Sequence, residues 1–165
     1  MILRTALIAA VLAATGCATA APVEPAAPAP VAAPSPEAHG HGMLLKGLAN
    51  KCLDIEGGSD ANGTRAILYP CHGTPNQRWI FTPAGQLVGL NGKCLDVTAS
   101  ATDNGTQIEL WDCHGGANQS WSFQNGEIVG LGGKCLDVQG GVSDDGTPII
   151  LYDCHGSPNQ VWLLQ

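Results

Sequence analysis

Three aspartates in this chain recur with an aromatic residue and an asparagine in a fixed order. Each aspartate belongs to a Lys-Cys-Leu-Asp tetrad, the aromatic residue precedes a second cysteine by two positions, and the asparagine opens an Asn-Gln-x-Trp segment. The three sets are Asp54, Tyr69 and Asn76; Asp96, Trp111 and Asn118; and Asp137, Tyr152 and Asn159. A carboxylate accepts several hydrogen bonds, an amide donates and accepts them, and an aromatic ring offers an apolar face. Any chemistry that these groups perform is therefore expected three times.

The tetrads are regularly spaced along the chain. They begin at Lys51, Lys93 and Lys134, so successive copies are 42 and 41 residues apart. A period of this size indicates a repeat architecture. The repeats lack helical periodicity and contain frequent glycine turns, which is typical of many short strands. We therefore predict an all-β fold in which residues 43–165 form three similar units of about 41 residues, closed into a ring.

Side-chain alternation along the strands assigns residues to faces. In the segment 52–55, Leu53 and Ile55 share one face and Asp54 lies on the other. In the next strand, Leu68 lies on the face opposite to Tyr69. If a disulfide joins the two strands, Asp54 and Tyr69 occupy the same side, away from the core. The sequence thus predicts a carboxylate beside an aromatic ring in each repeat.

Six of the seven cysteines are divided evenly among the repeats. Within each repeat, the two cysteines are separated by 19 positions. In an exported protein, such an arrangement indicates a disulfide framework. The repeat favours the pairs Cys52–Cys71, Cys94–Cys113 and Cys135–Cys154. Zinc ligation is the alternative, although no short Cys-x-x-Cys spacing supports it.

The N-terminal part of the chain has the composition of a targeting signal followed by a linker. Residues 1–16 combine a basic start with an apolar stretch too short to span a bilayer, as in a signal peptide. The segment ending in Gly16-Cys17 resembles the bacterial lipoprotein cleavage box, which implies a lipid on Cys17 and, with Ala18 next, the outer membrane. Cleavage after Ala20, giving a secreted protein, is the alternative. Residues 17–42 are rich in alanine and proline and are predicted to be a disordered tether.

Charge limits the classes of partner. The formal net charge is −7, whereas binding to nucleic acid depends on neutralising phosphates with basic side chains. No nucleic acid partner is therefore expected, and no polybasic contact with a membrane surface. The lipid on Cys17 is the expected membrane attachment.

The composite motif in three copies resembles the ricin B-type lectins. These proteins are β-trefoils, also classed as carbohydrate-binding module family 13. The resemblance covers residues 43–165 and implies a β-trefoil with pseudo-threefold symmetry and a shallow sugar pocket in each repeat. It implies that each aspartate accepts hydrogen bonds from sugar hydroxyls, that each aromatic ring stacks on a pyranose, and that each asparagine binds a neighbouring hydroxyl.

Repeat 2 has a feature of its own. Sugar-binding members of this family often carry a polar residue two positions before the aromatic residue, and here that position holds Ile67, Glu109 and Ile150. Repeat 2 is therefore expected to have the best-furnished pocket. The predicted carbohydrate-binding residues are Asp54, Tyr69, Asn76, Asp96, Glu109, Trp111, Asn118, Asp137, Tyr152 and Asn159.

The leading functional expectation is non-catalytic binding of galactose-like or xylan-like glycans by up to three outward-facing pockets on a monomeric, lipid-anchored envelope protein. We predict no catalytic residue, no cofactor and no metal site. A glycoside hydrolase needs two carboxylates across one bond, and each pocket offers one, apart from Glu109 near Asp96. A trefoil that binds or inhibits a protein partner is the other alternative. His72, His114 and His155 follow the second cysteines and are candidates for the pocket rim or, less favoured, for a metal site.

Overall fold

A computed structural model describes residues 42–165, which contain short β-strands and single-turn 3₁₀ helices. Each of the three repeats contributes four strands and three 3₁₀ helices to this part of the chain. The strands are β1 (Leu45–Lys46), β2 (Cys52–Ile55), β3 (Thr64–Tyr69), β4 (Ile80–Phe81), β5 (Leu87–Val88), β6 (Cys94–Val97), β7 (Thr106–Trp111), β8 (Ser122–Gln124), β9 (Glu127–Val129), β10 (Cys135–Val138), β11 (Thr147–Tyr152) and β12 (Leu163–Leu164). The 3₁₀ helices are Leu48–Asn50, Glu56–Gly58, Pro75–Gln77, Leu90–Gly92, Thr98–Ser100, Ala117–Gln119, Leu131–Gly133, Gln139–Gly141 and Pro158–Gln160. The prediction of an all-β chain of three units is confirmed.

The longest strands meet around the pseudo-threefold axis. Strands β3, β7 and β11 pair with one another in a cycle, through Thr64 with Leu110, Thr106 with Leu151 and Thr147 with Leu68. Each of these strands also forms a hairpin with the strand before it, β2, β6 or β10. The outer strands join the repeats, because β4 pairs with β5, β8 with β9 and β12 with β1. The pairing of the last strand with the first confirms the predicted ring.

The three tryptophans of the Asn-Gln-x-Trp segments also join neighbouring repeats. Trp79, Trp121 and Trp162 are buried in the core, and each indole Nε1 donates a hydrogen bond to a backbone carbonyl in its own repeat. Each ring lies against a glycine of the next repeat, Gly89, Gly130 or Gly47. A Cβ atom on Gly47 would lie 2.8 Å from the ring of Trp162, so no larger residue fits there without a shift.

Aliphatic side chains fill the rest of the core in the predicted alternation. Leu53 and Ile55, with Ala66 and Leu68 opposite them, are fully buried in one cluster with their equivalents in the other repeats. Disulfides join Cys52 to Cys71, Cys94 to Cys113 and Cys135 to Cys154. The predicted pairing is confirmed, and the alternative of thiolate ligands to zinc is wrong because the sulfur atoms are bonded in pairs. On the chain-entropy model each closed loop stabilises the fold by about 3 kcal/mol.

The predicted signal peptide (1–16), the lipid on Cys17 and nearly all of the predicted tether (17–42) lie outside the described residues. Gly42, the last residue of that tether, is described and is buried. Its carbonyl accepts a hydrogen bond from Arg78 Nη1 at 3.0 Å, so it packs with the domain. Among residues 42–165, no helix has the length and apolar character needed to cross a membrane.

Candidate functional site

The hairpin of β2 and β3 places the first predicted site. Cys52 pairs with Tyr69 and Asp54 with Ile67, so these four side chains share the face that points away from the aliphatic core. Strands β6 and β7 place Asp96 and Trp111 in the same way, and β10 and β11 place Asp137 and Tyr152. The predicted neighbourhood of carboxylate and aromatic ring is therefore present in each repeat.

The Asn-Gln-x-Trp segment folds back onto the aspartate. In repeat 1, Asn76 Nδ2 donates to Asp54 Oδ1 at 2.8 Å, and Gln77 Nε2 donates to Asp54 Oδ2 at 2.6 Å. The Gln77 amide carbonyl accepts from the backbone N–H of His72 at 2.8 Å. Asn118 and Gln119 hold Asp96 in the same way, and Asn159 and Gln160 hold Asp137. The asparagines are thus brought to the predicted site, and the glutamines support it from beneath.

The carboxylates are more deeply buried than we expected. Asp54, Asp96 and Asp137 are 2–3% exposed, although the strand pattern places them outside the aliphatic core. Each accepts hydrogen bonds from two amides, one of them on a fully buried glutamine, so its removal is expected to destabilise the fold. Burial raises the pKa of the Asp54 and Asp137 carboxyls, and the hydrogen bonds from the neighbouring amides lower it in part.

A histidine stands beside each carboxylate. His72 Nε2 lies 3.2 Å from Asp54 Oδ2, His114 Nε2 lies 3.2 Å from Asp96 Oδ2, and His155 Nε2 lies 3.3 Å from Asp137 Oδ2. In repeats 1 and 3, the imidazole also meets the tyrosine ring edge-on, with ring centroids 6.0 Å apart. The histidines therefore lie beside the predicted site residues. This position fits the pocket rim, which was one of the two roles considered for them.

The aromatic rings lie at the surface. Tyr69, Trp111 and Tyr152 are 39–40% exposed, so each ring presents part of its surface to solvent. In repeat 3 the ring borders a cavity of about 410 Å³, a size that accommodates a small ligand. The cavity is lined by Asp137, Gly140, Gly141, Ile150, Tyr152, His155 and Asn159.

The wall of the pocket differs in repeat 2. Glu109 stands where repeats 1 and 3 have isoleucines, and it pairs directly with Asp96 across the hairpin. Burial raises the pKa of the Glu109 carboxyl, the nearby Thr98 hydroxyl lowers it in part, and the charge of Asp96 adds a smaller increase. Ala99 and Ser100 replace the two glycines of the other repeats. Their φ angles are +53° and +54°, a left-handed backbone conformation that residues other than glycine rarely adopt.

Three parts of the site were not in the predicted set of binding residues. The histidines follow the second cysteines in every copy, and that regularity was the available signal. The turns at Gly57, Ala99 and Gly140 approach the pocket only because the 3₁₀ helix after each aspartate bends the chain back. Thr98 has a buried hydroxyl near the Glu109 carboxylate, and no sequence signal marks it.

Comparison with known proteins agrees with this geometry. The sequence matches the ricin-type beta-trefoil lectin domain over residues 41–162. The chain belongs to this family. A designed threefold-symmetric protein, ThreeFoil, is 33% identical, with a TM-score of 0.70 over 74% of this chain and 96% of that one. The C-half of an earthworm R-type lectin, solved in complex with GalNAc, is 25% identical, with a TM-score of 0.66 over 74% and 96% of the two chains.

One similar structure belongs to an enzyme. An exo-β-1,3-galactanase from Clostridium thermocellum is 26% identical, with a TM-score of 0.69 over 74% of this chain, but the match covers only 29% of the galactanase. Residues 41–162 of the present chain are therefore a lectin-type carbohydrate-binding domain with a β-trefoil fold. The roles of individual residues toward a sugar stay predictions.

Proposed function

We propose that this domain binds glycans without catalysis, through one shallow pocket in each repeat, and that galactose-like or xylan-like units are its ligands. The observation that supports this most strongly is the threefold recurrence of an exposed aromatic ring beside a buried, amide-held carboxylate. An aromatic ring that is 39–40% exposed offers its free surface to the apolar side of a pyranose. The carboxylate and amide next to it bind vicinal hydroxyls.

Each pocket is expected to bind a single sugar weakly. One ring, one carboxylate and one amide correspond to a dissociation constant on the order of 1 mM, or about −4 kcal/mol. Three pockets on one rigid domain engage a branched or repeating glycan together, and avidity raises the apparent affinity about 10²- to 10⁴-fold. A monomer thus reaches useful affinity for a polysaccharide through its own three sites.

Removing the rings tests this function more cleanly than removing the carboxylates. The triple variant Tyr69→Ala, Trp111→Ala, Tyr152→Ala deletes exposed side chains, so it is expected to fold but to lose retention on insoluble polysaccharide. Phe123→Ala is the matched control, because Phe123 is equally exposed, at 40%, and lies outside the three pockets. Calorimetry with monosaccharides and a pull-down on polysaccharide provide the readouts. A folded triple variant that binds glycan as well as the Phe123→Ala control would contradict the proposal.

Hydrolysis is the competing function. Among the predicted site residues, the pair of Asp96 and Glu109 offers two carboxylates in one pocket, and Asp96 is already engaged by Asn118, Gln119 and His114. We therefore expect no release of chromophore from aryl galactosides or xylosides. Turnover that disappears in Glu109→Gln would instead assign an enzyme.

The location proposed for this domain is the bacterial envelope, attached through lipid on Cys17. The proposal depends on the sequence of residues 1–17 and on the long alanine- and proline-rich linker that follows. Incorporation of an acyl analogue that is lost in Cys17→Ser tests it. A mature chain that begins at Ala21 would establish secretion in its place.

A further inference from the structure

The side chain at position 109 lines the pocket of repeat 2. In repeat 3, Ile150 lines the 410 Å³ cavity and pairs with Asp137 across the hairpin. Glu109 occupies the equivalent position and pairs with Asp96. A Cβ atom on Gly63 would lie 3.9 Å from both Glu109 Oε2 and the Trp111 ring, so the carboxylate and the ring border the same small space.

Glu109 is only 8% exposed, and among residues 42–165 no cationic side chain forms an ion pair with its carboxylate. Buried carboxylates are normally paired with a cation, so the uncompensated charge of Glu109 stands out. The Thr98 hydroxyl, buried at the start of the adjoining 3₁₀ helix, lies near this carboxylate and lowers its pKa in part, but a hydroxyl does not neutralise its charge. Arg65 lies opposite Glu109 on β3, but its guanidinium forms two hydrogen bonds with Glu56, at 2.7 and 3.0 Å.

Two acids that face each other across a hairpin repel each other. Like charges at directly opposed positions destabilise a sheet, and repeats 1 and 3 avoid this cost with Ile67 and Ile150. A sugar hydroxyl would donate one hydrogen bond and leave both charges in place. An ammonium group would donate up to three and would neutralise the repulsion as well.

We propose that the pocket of repeat 2 selects a pyranose with a free amino group, a 2-amino-2-deoxyhexose in its ammonium form, and that Glu109 determines this preference. The inference rests on the proposed function, because Trp111 and Asp96 must first hold the pyranose ring before Glu109 can contact its amino group. Repeats 1 and 3, with isoleucine at this position, bind neutral sugars. A polysaccharide that contains de-N-acetylated amino sugars would then engage repeat 2 through charge and the other repeats through hydroxyls.

Calorimetry on the full chain carrying Tyr69→Ala and Tyr152→Ala isolates repeat 2. Near neutral pH, D-galactosamine is expected to bind about tenfold more tightly than D-galactose and N-acetyl-D-galactosamine, because only the free amine forms the charge-assisted bonds. Glu109→Ile, which installs the residue of the other repeats, should bring the amine and the hydroxyl sugar within about twofold of each other. Glu109→Gln keeps an acceptor but removes the charge, and it should also abolish the preference.

A reciprocal variant separates this site from general attraction to an acidic protein. In the full chain carrying Tyr69→Ala and Trp111→Ala, Ile150→Glu should give repeat 3 a preference for galactosamine that the parent lacks. An amine preference that survives Glu109→Ile, or an absence of preference while galactose binds, would overturn the inference and leave the proposed function intact. Failure of the proposed function differs, because then no sugar binds to any repeat of the native chain.

Discussion

The pocket of repeat 2 and the pockets of repeats 1 and 3 share one scaffold and differ in their walls. In all three, an aspartate is held by an asparagine and a glutamine from the Asn-Gln-x-Trp segment, with hydrogen bonds of 2.6–2.9 Å. The walls differ at the position opposite the aspartate, in the turn that follows it and in the aromatic ring. We call the aspartate, with the asparagine and glutamine that hold it, the frame of the pocket. The comparison teaches that this frame is the same in every repeat, whereas single positions of the pocket wall vary.

The variation in repeat 2 is expected to lower the stability of the fold. Glu109 faces Asp96 across the hairpin, and Ala99 and Ser100 occupy left-handed backbone where the other repeats have glycine. Both features oppose folding, and neither is needed for the frame, since repeats 1 and 3 form it without them. Departures of this kind are expected where a site serves function.

The largest effect is expected from breaking the shared frame. Asp54→Ala, Asp96→Ala and Asp137→Ala should each destabilise the fold by about 1–3 kcal/mol, because each leaves a buried glutamine amide without its carboxylate acceptor. The three losses should be similar, since the frame is the same in each repeat. Urea unfolding with intact disulfides measures them. A loss confined to one repeat would show that the frames are not equivalent.

The alternation of Leu53, Asp54 and Ile55 was enough to predict which face each side chain occupies, and the even cysteine spacing was enough for the disulfides. The depth of burial of Asp54 was not predictable in this way. It depends on Asn76 and Gln77, more than 20 positions later, returning over the strand through hydrogen bonds that leave no periodic pattern. A local pattern reports direction, whereas burial depends on segments that are distant in sequence.

The environment of Glu109 could not be predicted from the sequence for a related reason. The substitution was visible as a break in the repeat, and it led to the prediction that repeat 2 has the best-furnished pocket. Its opposition to Asp96, and the diversion of Arg65 to Glu56, follow from the register of β3, β6 and β7. A repeat period shows which residues are equivalent, but not which residues of neighbouring repeats meet.

The next largest change in stability is expected from substitutions in the turn that follows each aspartate. Ala99→Gly should stabilise the fold by about 0.5–1 kcal/mol, because glycine adopts positive φ without steric cost and this gain exceeds its larger entropy in the unfolded chain. Gly57→Ala is the reverse change at the equivalent position, where an added Cβ would meet nothing within 4 Å. It should cost about 1 kcal/mol from backbone strain alone. Thermal unfolding compares the two, and effects of the same sign would exclude strain as the cause.

A smaller effect, with a defined pH dependence, is expected from Glu109→Gln. The pKa of this carboxyl is raised above its ordinary value of 4.5, so the folded state holds the proton more tightly than the unfolded chain. The destabilisation is therefore fully present above the folded-state pKa and is relieved as the pH falls through it. Glu109→Gln should stabilise the protein by about 0.5 kcal/mol at pH 7 and by nothing near pH 4. Denaturant unfolding at both pH values measures this, and a gain that persists at pH 4 would argue against a charge effect.

The junctions between repeats provide a second comparison, in which a lysine–carboxylate pair is kept although the carboxylate comes from a different position at one junction. At the junction of repeats 1 and 2, Lys93 Nζ lies 2.8 Å from Asp112 Oδ1, and Asn62 donates to the other oxygen of Asp112 at 2.8 Å. Asn104, Lys134 and Asp153 repeat this at the next junction. At the third junction, Pro70 stands in the place of Asp112, and the turn residue Asp145 pairs with Lys51 instead.

The smallest effect is expected from transferring the carboxylate of the third junction from position 145 to position 70. The backbone N–H of Asp112 donates to Asn62 Oδ1 at 3.0 Å, but Pro70 has no N–H and no carboxylate, so an asparagine at position 145 would gain neither partner. Asp145→Asn should therefore cost a few tenths of a kcal/mol, as is usual for an exposed ion pair. Adding Pro70→Asp to Asp145→Asn restores the arrangement of the other junctions and should recover the loss. Denaturant unfolding at low and high salt measures the cycle. Because salt screens exposed charges, the loss should shrink at high salt, and a loss of unchanged size would show that Asp145 acts through the shape of the turn and not through its charge.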